Sequence, residues 1–153
     1  MSEESRVNLH ATAITVGGSG LIFMGPSGSG KSMLAFACLT EAKRMGIKAY
    51  LIADDQVLLH ESGQRLFAEA PATIKGMIEI RGTGIVTYPC QPLAALHYAI
   101  LPGEPTGENR IPPADEEVVL AQRFRLPVIR LLATNPVPLA TLMAVRQDIA
   151  HLL

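Results

Sequence analysis

An α/β fold with a mixed β-sheet, flanking helices and a phosphate-binding loop is what this sequence predicts, and three observations carry the prediction. The stretch Gly25-Pro26-Ser27-Gly28-Ser29-Gly30-Lys31-Ser32 fits G-x-x-x-x-G-K-[ST] at every fixed position. The apolar, strand-like run Leu21-Ile22-Phe23-Met24 precedes it, and the helix-forming Met33-Leu34-Ala35-Phe36-Ala37-Cys38-Leu39 follows. Short β-branched segments lie on both sides, enough to build a sheet. A strand entering such a loop and a helix leaving it turn backbone N–H groups inward and set a helix N-terminus against an anion. The glycines let phosphate oxygens approach the main chain. Lys31 offers a positive charge to the β/γ-phosphates, and the Ser32 hydroxyl offers a ligand for Mg²⁺. The pattern predicts a bound polyphosphate.

Taken in order, Val7 to Val16 alternates loosely and is rich in β-branched residues, which predicts strands. Gly17-Gly18-Ser19-Gly20 is a tight turn leading back into Leu21–Met24. After the loop, a helix is expected from about Lys31 to Met45, closed by Gly46 just past its end. Its first half is apolar on every side, which predicts burial between the sheet and another layer. Ile47 to Ala53 reads as the next strand, running directly into Asp54-Asp55. Val57–His60 and Arg65–Ala68 form a hairpin around Ser62-Gly63, and Ala72 to Gly76 a turn of helix. Met77 to Val86 places charges inside an apolar, glycine-punctuated stretch, and Leu93 to Leu101 is a further strand. The proline- and glycine-rich segment Pro102 to Pro113 reads as a long loop, a functional or mobile segment by its length. Val118 to Leu132 supplies two short strands. Leu139, Leu142, Met143, Ile149, Ala150 and Leu153 fall at helical spacing and predict a closing amphipathic helix.

At 153 residues, with 48% hydrophobic and 18% charged side chains, the chain suits a single domain over residues 1–153 with a substantial core. The net charge of −1, the absence of Trp and the scarcity of other aromatics give no surface for nucleic acid. Cys38 and Cys90 lack metal-type spacing, and Cys38 reads as a small core residue. The polar N-terminus and the absence of a long apolar run predict neither a signal peptide nor a membrane span, hence a cytoplasmic protein.

A phosphate cradle needs an acid at the end of a neighbouring strand, and Asp54-Asp55 stands there. Successive side chains on a strand point opposite ways, so the two carboxylates are expected to meet different partners. One can serve a metal–phosphate site, and an aspartate near the transferred group can accept a hydroxyl proton. Asx-turn chemistry is the ordinary alternative. Glu79 and Arg81 share a face if extended. A Mg²⁺ ligand and a phosphate-neutralising cation are one reading of them, and a surface ion pair, favoured on pattern alone, is the other. By itself, His10 reads more readily as a satisfied core histidine than as a catalyst. His60, His97 and His151 show no ligand grouping, and Arg110, Arg123, Arg125 and Arg130 cannot be ranked from sequence.

Four blocks in order carry a resemblance: Leu9-His10, the loop Gly25–Ser32, Ile52-Ala53-Asp54-Asp55, and Ile78-Glu79-Ile80-Arg81-Gly82-Thr83-Gly84-Ile85. Over nearly its full length the chain resembles the catalytic, C-terminal domain of HPr kinase/phosphorylase, in a short form lacking the N-terminal domain. That resemblance implies a nucleotide-binding fold similar to the HPr kinase and phosphoenolpyruvate carboxykinase type. It implies an ATP- and Mg²⁺-dependent kinase acting on a serine of an HPr-like phosphocarrier of a phosphotransferase system, with pyrophosphate an open alternative donor. It also implies a homo-oligomer, hexameric in the family. Asp55 would be the general base, His10 a catalytic neighbour and Lys31 the phosphate-holding lysine. Ser32 and Glu79 would bind the metal, with Asp54 beside them, and Arg110 would match a family arginine.

The sequence also departs from the family pattern. Met33 stands where a glutamate is usual, and Thr83 where leucine is usual. Ala133-Thr134-Asn135-Pro136-Val137-Pro138 replaces an Arg-Pro-Gly-Arg-Asn type segment tied to dephosphorylation, which leaves no basic residue there for inorganic phosphate. Kinase activity is therefore expected above phosphorylase activity. A small-molecule kinase on the same loop, and a catalytically idle nucleotide-binding module, are the competing readings.

Overall fold

The computed structural model describes residues 6–104 and 111–150. Strands β1 (Val7–Leu9), β2 (Ala11–Val16) and β3 (Ser19–Met24) lead into the glycine-rich loop, which opens helix α1 (Lys31–Met45). Strand β4 (Ala49–Ala53) follows, then the hairpin β5 (Val57–Ser62) and β6 (Arg65–Glu69), and a 3-10 turn at Ala72–Ile74. A second hairpin, β7 (Met77–Ile80) and β8 (Gly84–Thr87), precedes β9 (Leu93–Ala95) and β10 (Tyr98–Gly103). The chain then forms β11 (Glu117–Leu120), β12 (Phe124–Leu132) and helix α2 (Pro138–Val145).

Six strands form a mixed sheet in the order β11-β12-β10-β3-β2-β4, and β1-β5-β6-β9 form an antiparallel sheet packed against one of its faces. Strand alternation divides the core accordingly. Ile14, Val16, Leu21 and Phe23 point toward α1 and α2, where they meet Leu34, Cys38, Leu39, Leu139 and Leu142. Ala11, Ala13 and Ile22 point the other way, onto Val57, Leu59, Leu66 and Ala68 of the smaller sheet. The sheets approach closely at Gly20, where a Cβ would lie 1.9 Å from the Ala95 carbonyl oxygen, so no larger residue fits. Among the described residues no helix is long and apolar enough to cross a membrane.

Helix α1 has the predicted bounds, with Gly46 at φ 75° donating its N–H back to the helix end. Its burial differs from the expectation. Leu34, Ala35, Cys38, Leu39 and Ala42 form one buried face, while Met33 is 44% exposed. The large sheet lies beneath α1, and α2 and β7 flank it, but none of them covers Met33, so the apolar first half is not enclosed on every side. Farther along, Glu41 accepts the backbone N–H groups of Leu139 (2.8 Å) and Ala140 (3.0 Å), capping the N-terminus of α2, whose Val137 cap supplies no side-chain acceptor.

Three later expectations need correction. Leu93 to Leu101 is two strands, β9 and β10, and β10 runs through Pro102 and Gly103 into the segment expected to be loop. Glu104 and Ile111 to Pro113 are irregular, as expected of a loop, and residues 105–110 lie outside the described residues. Val118 to Leu132 is not two short strands, because β12 is nine residues long. Its first half pairs with β11, and Val128 to Leu132 pair with β10, the exchange falling at Pro127, which has no N–H to donate. The closing helix stops at Val145. Arg146 turns extended, with its guanidinium over the Tyr98 ring, and Asp148 accepts the Tyr98 hydroxyl at 2.8 Å. These contacts draw the chain off the helical path, and Ile149 and Ala150 are buried from a turn rather than from a helix.

Candidate active site

Strand β3 ends against β2 and β10 at the centre of the large sheet, which fixes where the glycine-rich loop begins. The loop reaches α1 through Gly28 (φ 82°) and Gly30 (φ 100°), left-handed conformations that side chains resist. A Cβ on Gly28 would lie 3.3 Å from the Arg81 guanidinium, and one on Gly30 would lie 3.3 Å from the Ala133 methyl. The backbone is thus bare where the loop faces the β7–β8 hairpin and the segment after β12.

Lys31, only 7% exposed, folds back over the loop. Its Nζ donates to the carbonyls of Gly25 (2.7 Å) and Pro26 (3.1 Å). Burial lowers its pKa from the ordinary lysine value, and the carboxylates of Asp55 and Asp54 oppose that shift. Ser29 Oγ is buried without a hydrogen-bond partner among the described residues.

A β-bulge explains the different fates of the two aspartates. The β2–β4 register shifts between Ala13 and Ile14, so that Leu51 joins the helix-side core while both Ile52 and Ala53 face the small sheet. Asp54 then falls on the helix side, 6% exposed. Its Oδ1 accepts the hydroxyls of Ser32 (2.6 Å) and Thr12 (2.9 Å), and its Oδ2 accepts the backbone N–H of Glu79 (2.9 Å). Asp55 lies just beyond at φ 74°, a left-handed conformation that aspartate tolerates better than most residues. Its carboxylate reaches outward to His10, with Nδ1 to Oδ1 at 3.1 Å and both side chains largely exposed. His10 occupies a bend between β1 and β2, not a core strand position.

These groups share one cleft of about 210 Å³, lined by His10, Thr12, Ser27, Gly28, Gly30, Lys31, Ser32, Met33, Asp54, Asp55, Glu79 and Arg81. Gly25 and Pro26 contribute through the carbonyls that hold Lys31, and Arg110 lies outside the described residues. Arg81 makes no ion pair among the described residues and overlies Gly28, contrary to the surface-pair reading of Glu79 and Arg81. Thr12, read in the sequence only as a β-branched strand former, is a cleft residue. Its one available signal was its place two residues after His10 on the helix-facing parity of β2.

The architecture, a mixed sheet with flanking helices, is that of the HPr-kinase fold. It superposes with a TM-score of 0.74 on the HPr(Ser) kinase/phosphatase from Coxiella burnetii, at 22% identity, over 93% of this chain and 95% of that one. Residues 2–89 match the family described as the HPr Serine kinase C-terminal domain, and the chain belongs to that enzyme family. Among curated relatives, the HPr kinase/phosphorylase of Mycoplasmopsis pulmonis is 36% identical over 81 residues, covering 53% of this chain and 24% of that protein. That of Caldicellulosiruptor bescii is 42% identical over 82 residues, with 53% and 24% covered. The chain thus spans about a quarter of the length of these relatives. His10, the loop, Asp54, Asp55 and Glu79 all fall inside the matched residues, whereas Arg110 and Ala133 fall beyond them.

Proposed function

We propose that this protein is an ATP- and Mg²⁺-dependent kinase that transfers a phosphoryl group to a serine of an HPr-like phosphocarrier. The observation that carries the proposal is the convergence of Lys31, Ser32, Asp54, Asp55, His10 and Glu79 on one cleft around the loop Gly25–Ser32. A phosphate-binding role for that loop is supported by its bare backbone at Gly28 and Gly30 and by the buried Lys31 ammonium above it.

The donor set fits Mg²⁺ shared with phosphate. Among the described residues no group of three or more His, Cys, Asp or Glu side chains is arranged to hold a metal alone. Mg²⁺ typically takes one or two protein ligands, completed by substrate phosphates and water. Ser32 Oγ and the Glu79 carboxylate are the candidate ligands. Asp54 was expected among them, but its Oδ1 is already filled by two hydroxyls, which suits a carboxylate acting through Ser32. When bound, the ion would supply charge neutralisation across the phosphates.

In this reading Lys31 and Arg81, which line the same cleft, hold and neutralise phosphate oxygens. Asp55 accepts the proton of the attacking serine hydroxyl, and His10 orients that carboxylate from 3.1 Å. The open mouth at His10, Asp55 and Met33 suits a protein-borne serine better than a metabolite needing an enclosed pocket. The same reading takes residues 1–153 as one catalytic unit, in a cytoplasmic homo-oligomer of the family's hexameric kind.

The test is γ-labelled ATP with Mg²⁺ and candidate HPr-like carriers, followed by mapping of the labelled residue. Label on one carrier serine, dependent on Lys31 and Asp55, is the expected result. Labelling of a small metabolite instead, or tight nucleotide binding with no transfer to any acceptor, would replace this reading with one of its competitors.

A further inference from the structure

Thr12 is fully buried in β2, yet its hydroxyl is fully committed to the cleft. It donates to Asp54 Oδ1 at 2.9 Å, the oxygen that also accepts the Ser32 hydroxyl at 2.6 Å, and the two hydroxyl oxygens lie 3.5 Å apart. Asp54 Oδ2 accepts the Glu79 N–H from β7. One carboxylate thereby ties three elements together: β2 through Thr12, the first turn of α1 through Ser32, and the β7–β8 hairpin through Glu79.

We propose that Thr12 is a positioning residue, which acts through Asp54 to set the orientation of the Ser32 hydroxyl and the placement of Glu79. The inference rests on the reading of this cleft as a Mg²⁺–nucleotide site and adds a determinant of its metal affinity. An aspartate carboxylate turns about a broad, two-fold terminal torsion, so its rotation is set by what it bonds. The Ser32 and Glu79 contacts alone come from elements that the carboxylate is itself holding. Thr12 is the third point, on the central sheet, and it makes the carboxylate plane a fixed reference. Both hydroxyl hydrogens point at Asp54 Oδ1, which turns the Ser32 lone pairs away from Asp54 and toward the cleft. Groups that orient a metal ligand from behind carry much of a site's affinity, with losses of about 10–100-fold when they are removed.

Thr12→Val keeps the side-chain shape and removes the donor, and Thr12→Ser keeps the donor and removes the methyl. The measurement is the Mg²⁺ concentration giving half-maximal binding of a fluorescent ATP analogue, beside the analogue's affinity in EDTA and the melting temperature of each protein. The expected result is a rise of about tenfold in the Mg²⁺ requirement for T12V, with metal-free affinity unchanged and T12S within about twofold of the parent. In a cycle with Asp54→Asn, T12V should add nothing further, because the route runs through that carboxylate. Thr12→Ala serves as a second donor-less variant should the valine pack badly. Equal Mg²⁺ requirements in the parent and a folded donor-less variant would overturn the inference, as would equal losses in T12S and T12V. A parent protein whose nucleotide binding ignores Mg²⁺ would overturn the kinase reading itself, and that failure is visible without any variant.

Discussion

His10 Nδ1 lies 3.1 Å from Asp55 Oδ1, joining the bend after β1 to the residue that follows the buried Asp54. The pair stands at the open rim of the cleft, while the Asp54 network closes its floor. In the proposed function, proton transfer and metal handling fall to two adjacent carboxylates, which the bulge in β4 turns in different directions.

Asp55→Asn tests that division. Asparagine accepts the left-handed backbone at φ 74° about as readily as aspartate, so the change removes charge without disturbing the turn. Transfer to the carrier should fall by about 10²–10⁴-fold, with nucleotide affinity within a few-fold of the parent. Radiolabel transfer and equilibrium nucleotide binding measure the two separately. Full transfer in this variant would remove Asp55 from the chemistry.

Lys31 gives a pH signature. Burial holds its pKa below the ordinary lysine value, and a polyphosphate beside the ammonium would raise it again. Between the free and bound pKa values, binding must take up a proton. Affinity should therefore weaken as pH rises through the free-protein value, below 10.5. Calorimetry of nucleotide binding at alkaline pH, in buffers of differing ionisation enthalpy, should report that uptake in the parent and none in Lys31→Met.

Ala133 bears on the reverse reaction. It lies against the Gly30 side of the loop, and no basic residue occurs from Ala133 to Pro138. Inorganic phosphate has no cation from that segment to hold it as an attacking anion. Phosphate-dependent release of pyrophosphate from phosphoserine carrier should be slow compared with forward transfer, and an Asn135→Arg substitution should speed it. A parent rate matching the forward reaction would contradict this.

Tyr98 anchors the chain beyond α2. Burial, with the hydrogen bond to Asp148 as the next cause, pushes its phenol up to about 12. A raised acid pKa in the fold means that the stabilisation is complete below the unfolded value near 10 and is lost as pH rises toward 12. Tyr98→Phe should cost about 1 kcal/mol at neutral pH. Thermal melts should show the gap between parent and variant closing across that alkaline window.

The residues that were legible in the sequence are those whose chemistry is tied to local pattern. The loop fixes Lys31 and Ser32, and a strand running into Asp54-Asp55 puts acids at its end. Periodicity and the Gly46 stop gave the bounds of α1 outright. What stayed hidden depended on partners distant in the chain. No pattern marks Thr12, since threonine is an ordinary strand residue until Asp54 and Ser32 are brought beside it. The stop of α2 at Val145 carries no proline or glycine and arises from the hold of Tyr98 on Arg146 and Asp148. The length of β12 was obscured because it changes partners midway. Arg81 looked like half of a surface pair because nothing local shows that the β7–β8 hairpin folds over Gly28.

The parallel pairing of β3 with β10 has a consequence for how the protein comes into being. Leu21, Ile22 and Phe23 lie beside Tyr98, Ala99 and Ile100, so a strand near the start of the chain waits for one made much later. Until that partner leaves the ribosome, β3 has one bare edge and a fully buried phenylalanine without its neighbours. The hairpin with β2 closes early, because its two strands are adjacent in the chain. The nascent protein therefore carries its glycine-rich loop on a half-built sheet until β10 and β12 have been made. Ribosome-stalled chains ending before Tyr98 should remain protease-sensitive at the loop, and those carrying β10 and β12 clear of the exit tunnel should not.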